Sequence, residues 1–207
     1  MNDDLILAAT SWKSNADLIA DVARLGYIKA DDEICDLTYG RGTWWKKCTL
    51  GVLTTNDWDT ETQTDRHWDF REVGWVDEVF DVVAFDPPYV CVGGRKTTTI
   101  QAHHDRYGMG DTPTTPRALQ DMIDGGIDEA DRICKPGGII LIKCANYISS
   151  GKMQPGVFWT QQHTRLWSWT LEEQLVMVGK PGRQSQKRQV HARNNWSCLL
   201  ILRKPRR

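Results

Sequence analysis

The run FDVVAFDPPY, residues 80–89, constrains this chain more than any other segment. Its first six residues read as an interior strand, apolar toward both sides as strands of a parallel sheet are. It stops on Asp86-Pro87-Pro88-Tyr89. Proline lacks the N–H that a sheet ladder needs and drives the residue before it into an extended conformation. The strand must therefore end at Asp86 and lead into a stiff turn. Open α/β sheets bind their ligands beyond the carboxyl ends of the strands, which is where Asp86 falls. Read alone, the segment suits a surface turn equally well, so the rest of the chain decides.

That rest alternates helix and strand. SNADLIADVARLG, residues 14–26, predicts a helix capped by Ser14, with Asp17 in its first turn. Leu18, Ile19, Val22 and Leu25 form its apolar face, and Gly26 closes it. DEICD and CTLGVLTTND predict short strands, and GGIILIKCA another buried one. PRALQDMIDGGIDEADRICKPGG has a helical apolar period, with Gly125 and Gly126 expected to break it in two. FWTQQHTRLWSW predicts a further helix, and EEQLVMVG and WSCLLILRK the last two strands. This order predicts one α/β domain with a mostly parallel sheet and helices on both faces. Residues 179–195 hold no crossover helix, so the last two strands should be antiparallel neighbours. The polar stretch 91–116 has the length of a functional loop.

Composition narrows the class. A chain of 207 residues with 40% apolar content supports one sizeable core, so residues 1–207 are expected to form a single domain. No leader is expected, and no apolar run nears the ~18 residues that span a bilayer. Lys143 interrupts even GGIILIKCA. The six cysteines show no Cys-x-x-Cys spacing and fall partly in apolar strands. They predict buried, reduced thiols of a cytoplasmic protein and no metal site. The net charge of −1 hides an asymmetry: residues 180–207 hold nine of the 26 basic side chains and none of the 27 acidic ones. A basic end on an acidic body predicts a polyanionic partner. WSCLLILRK shows that these charges flank structure and do not simply trail as a solubilising tail.

CDLTYGRG places Asp36, Gly40 and Gly42 just after the first strand. The dinucleotide fingerprint would require a third glycine where Trp45 stands, which argues against a pyrophosphate ligand. Asp57 follows Asp36 by 21 residues, at the end of the next strand, where an acid accepts hydrogen bonds from ribose hydroxyls. Asp69 falls near the expected end of a further strand. With Asp86, four acids would gather at one sheet edge. Such a pocket suits a ligand carrying ribose, amine and cationic groups.

ICDLTYGRG, VVAFDPPY and KPGGIILIK, in this order, resemble the class I S-adenosylmethionine-dependent methyltransferases. More narrowly, they are similar to the amino-group enzymes that act on adenine N6 or cytosine N4 in DNA. The resemblance runs from about residue 14 to 204, and GRQSQKRQVHARNNWSCLLILRKP resembles small stand-alone enzymes of bacteria and their phages. It implies a Rossmann-like fold with a mostly parallel seven-stranded sheet and an antiparallel C-terminal strand. It implies S-adenosylmethionine as cofactor, with Asp36, Thr38, Gly40 and Gly42 around the methionine part and Asp57 on the ribose. Asp69 and Phe70 would meet the adenine, and residues 10–15 could close over the cofactor. Asp86, Pro87, Pro88 and Tyr89 would be catalytic, and the partner would be duplex DNA with its target base flipped out. The setting would be the cytoplasm of a bacterium or of a phage-infected host.

The chain departs from that pattern by lacking a large target-recognition region. The substrate-contacting candidates are Arg95 and Lys96 in the loop 92–116, and Lys187, Arg188 and Arg193 in the basic loop. Lys187, Arg188 and Arg193 can contact phosphates without reading sequence. Loose or very short sequence preference is therefore expected, or else a partner subunit or homodimer that supplies it. His103, His104 and His191 read as solvated loop histidines, and Trp44 and Trp45 as borders of the cofactor. The alternatives are an RNA base-amine methyltransferase (guanine N2 of ribosomal RNA, for example), a protein glutamine methyltransferase, and a non-catalytic subunit of this fold.

Overall fold

The computed structural model describes residues 12–49, 51–89, 91, 113–179 and 194–206. In chain order its elements are α1 (Asn15–Arg24), β1 (Glu33–Asp36), β2 (Val52–Thr55), β3 (Phe80–Phe85), α2 (Pro116–Ile133), β4 (Cys134–Cys144), β5 (Tyr147–Ser149), β6 (Lys152–Gln154), α3 (Gly156–Thr164), β7 (Thr170–Val178) and β8 (Trp196–Arg203). Helix α1 begins where predicted: the Ser14 hydroxyl accepts the Asp17 N–H at 3.2 Å, satisfying one orphan donor of the first turn. Leu18, Ile19 and Val22 are buried, whereas Leu25 is the C-cap and points outward.

Six strands form the main sheet, in the order β2-β1-β3-β4-β8-β7. The first four are mutually parallel. β8 is antiparallel to both of its neighbours; its pairing with β7 is the one expected from sequence. Side chains alternate across the sheet with period two. Val82, Ala84, Ile139, Leu141, Leu199 and Ile201 pack on the α1 side. Val83, Phe85, Ile140, Ile142, Leu200 and Leu202 pack on the α2 side. These parallel interior strands are apolar toward both layers, which is why their sequence shows runs and not alternation.

Two expectations are corrected, and one further element is added. The expected seventh strand is, among the described residues, an isolated parallel bridge between Asn56 and Arg66. The polar segment after β2 is held by side chains instead of a ladder; Asp65, for instance, accepts from both the N–H and the hydroxyl of Thr55 at 2.8 Å. Helix α2 runs unbroken through Gly125 and Gly126. A Cβ on Gly126 would lie 2.3 Å from Phe85 Cζ, so this glycine lets the helix approach the sheet and does not break it. The β5–β6 hairpin was not expected from sequence; Ser150 and Gly151 turn it with φ of 49° and 74°, the pairing a two-residue hairpin turn requires.

Candidate functional site

The carboxyl ends of β1, β2 and β3 meet at one edge of the sheet and open onto a cleft of about 830 Å³. β3 delivers Asp86 there because Pro87 and Pro88 end its ladder. The Asp86 N–H is held by the Thr38 hydroxyl at 2.8 Å, which ties the turn after β3 to the turn after β1. Its carboxylate is approached from three elements. Oδ2 accepts Trp44 Nε1 at 3.2 Å and lies 3.5 Å from Lys143 Nζ, while Oδ1 accepts the Tyr89 hydroxyl. Pro87, Pro88 and Tyr89 line the same cleft.

The turn after β1 is shaped by its acids. Asp36 is 4% exposed; its oxygens accept Trp45 Nε1 at 2.7 Å and the Thr38 N–H at 3.0 Å. Burial pushes its pKa up to about 7, against the pull of those two hydrogen bonds, and the nearby Asp86 and Asp57 add to the rise. Asp57 Oδ2 accepts the Gly40 N–H at 2.6 Å, and Oδ1 accepts the Asp59 N–H at 2.9 Å. Burial also raises the Asp57 pKa, opposed by these two backbone donors. Gly40 and Gly42 take φ of 55° and 62°, the left-handed region that a side chain would strain.

Of the cofactor candidates, Thr38, Gly40, Asp57 and Phe70 line the cleft. Asp36 lies beneath the turn, sealed by Trp45, and Gly42 packs on the Tyr39 ring. Asp69 stands off the cleft wall and is forked by the Arg71 guanidinium at 3.0 Å from each oxygen. Asn15, from the N-terminal segment, does reach the cleft. Arg95, Lys96, Lys187, Arg188 and Arg193 lie outside the described residues, as do Thr10 and His103, His104 and His191. Two site residues escaped the sequence reading. Asn56 is fully buried and bonds Leu37 O, Trp68 O and the Trp68 N–H, pinning the loops on either side of the cleft. Lys143 is 7% exposed and lines the cleft. Lys143 interrupts an apolar run, and that is its only signal in the sequence; Asn56, within the polar run TTND, gives none.

Among the described residues, no cluster of His, Cys, Asp and Glu is disposed to hold a metal ion, and no helix is long and apolar enough to cross a membrane. The six cysteines are unpaired; Cys35, Cys134, Cys144 and Cys198 are buried, Cys48 and Cys91 partly so.

No family model matches the sequence, and no curated protein matches it. Solved structures do share its fold. A Bacillus halodurans protein proposed to be a methyltransferase superposes with a TM-score of 0.53 at 15% identity, over 90% of this chain and 98% of that one. A SAM-dependent methyltransferase of Methanosarcina mazei gives a TM-score of 0.51 at 11% identity, over 89% and 98%. A proposed DNA modification methylase of Thermus thermophilus, complexed with S-adenosyl-L-methionine, gives 0.45 at 18% identity over 66% of this chain. The present chain spans about half of that protein, 53% of its length. The architecture is the Rossmann-like class I methyltransferase fold.

Proposed function

We propose that this chain is an S-adenosylmethionine-dependent methyltransferase that acts on an exocyclic base amine of DNA, adenine N6 ahead of cytosine N4. One observation carries the reading: Asp86, the two prolines and Tyr89 share a cleft with Asp57, Gly40 and Phe70. Acceptor, stacking ring and nucleoside-holding groups thus surround one space.

The cleft fits the cofactor by size and by chemistry. Pockets for ligands of this size run to several hundred Å³. Each Asp57 oxygen uses one lone pair on the backbone and keeps another for a ribose hydroxyl. Trp58 and Phe70 offer flat apolar walls for an adenine ring, and the carboxylates favour a cation. Asp69 would reach the adenine amino group by releasing the Arg71 fork. When bound, S-adenosylmethionine supplies an electrophilic methyl group on a sulfonium.

The rest is work for the chain. A base amine is a poor nucleophile because its lone pair is delocalised into the ring. Asp86 and the Pro87 carbonyl accept its N–H groups and favour a pyramidal nitrogen with the lone pair free. Taking up the methyl group that the sulfonium would release would build positive charge on this nitrogen, and one N–H proton would then leave to water. Acceptors aimed at the positive charge that develops on nitrogen are usually the largest catalytic contribution. Tyr89 gives the extruded base a surface to stack on. Arg95, Lys96, Lys187, Arg188 and Arg193 would hold phosphates.

Transfer of tritiated methyl groups to duplex DNA, ribosomal RNA and a glutamine-containing protein tests the reading. Label in DNA alone is the expected result. Label confined to RNA or protein would move the target and leave fold and cofactor standing.

A further inference from the structure

Lys143 is an anomaly in its strand. It follows Ile139, Ile140, Leu141 and Ile142, all buried, and is itself 7% exposed. By alternation its stem lies on the α1 side, with Ile139 and Leu141. An ammonium group in such a place is costly unless it is paired. Its Nζ donates to Asn15 Oδ1 at 3.0 Å and sits 3.5 Å from Asp86 Oδ2.

The two oxygens of Asp86 therefore keep different company. Oδ2 is held by Trp44 from the turn after β1 and by Lys143 from β4, and Asn15 of α1 steadies that lysine in turn. Oδ1 meets only the motif's own Tyr89 among the hydrogen bonds described for Asp86. One oxygen is thus fixed to the scaffold, and the other is held by the hydroxyl of Tyr89, whose ring is assigned to the target base.

We propose that Lys143 is a positioning residue that anchors Asp86 Oδ2, so that Oδ1 is the oxygen that receives the target amine. This rests on the functional reading above. When the base stacks, its N–H replaces the Tyr89 hydroxyl on Oδ1, and the carboxylate does not have to move. Without the anchor the carboxylate can rotate, and misplacing a reacting group by about 1 Å costs on the order of 100-fold in rate.

Lys143→Met keeps the stem and removes the charge. The expected result is a kcat lower by about 100-fold, with KM for DNA and calorimetric cofactor affinity within about threefold. Lys143→Arg should recover part of the loss, because it restores a cation to Oδ2. A purely structural lysine would lower stability and leave kcat per folded molecule intact, and that result overturns the proposal. A second readout does not need turnover. In a melting-temperature cycle of Lys143→Met, Asp86→Asn and the double variant, anchoring predicts a combined loss smaller than the sum of the single losses. Additive losses overturn the anchor. Coupled losses in a protein that methylates no base would retain the anchor and remove the base-amine reading instead.

Discussion

At the scale of single residues, the acids divide by depth. Asp57 and Asp86 line the cleft and Asp36 lies below it, so one residue type has separate tasks. Asp57→Ala should weaken cofactor binding by tenfold or more, read by calorimetry, because the ribose loses its acceptor. Asp86→Ala should abolish transfer and leave cofactor affinity nearly unchanged. Asp36 makes a pH prediction. Its folded pKa of about 7 lies above the usual value of 3.8, so the folded chain retains a proton that the unfolded chain releases. Stability from this group is present below pH 4 and is lost as pH rises toward 7. The stability of the natural protein relative to Asp36→Asn should therefore decline between about pH 4 and pH 7 and level off above that in denaturant titrations. A constant difference would mean that Asp36 does not hold its proton. The strand-end acids were legible because motif and spacing point to them. Asn56 was not, since an Asn in TTND reads as a turn residue until its three buried partners are seen. Lys143 read only as a break in an apolar run.

At the scale of elements, the layers follow from apolar runs and a helical period, and the misreadings have local causes. A glycine pair in a helix pattern signals a break when only propensity is weighed. Here Phe85 and Phe70 press on α2 at Gly126, at 2.3 and 2.9 Å from where a Cβ would stand. Gly126→Ala thus sets two effects against each other. Helix propensity favours alanine by about 1 kcal/mol, and overpacking costs about 1–3 kcal/mol. Overpacking should win, because the ring below is fully buried and β3 fixes its backbone. The expected outcome in urea unfolding is a lower midpoint; a higher one would show that the aromatic layer yields. The missing seventh strand has the opposite cause. Its segment lacks the apolar side chains that would favour a ladder, and polar side chains take over the backbone donors.

At the scale of the whole molecule, the charge asymmetry of the sequence makes the proposed DNA partner testable by salt. If Arg95, Lys96, Lys187, Arg188 and Arg193 each neutralise one phosphate, the log–log salt slope of DNA binding should be about −4 to −5. Replacing Lys187, Arg188 and Arg193 by Gln together should reduce its magnitude by about 3. A slope that stays unchanged would show that these residues face elsewhere. In the proposed reaction Asp86 directs a methyl group onto a base amine. The most direct measurement is to incubate the protein with S-adenosylmethionine and unmethylated duplex DNA, digest the DNA to nucleosides and weigh them by mass spectrometry. N6-methyladenine that disappears with Asp86→Ala is the predicted result. A protein that binds the cofactor yet leaves every base unmethylated would contradict it.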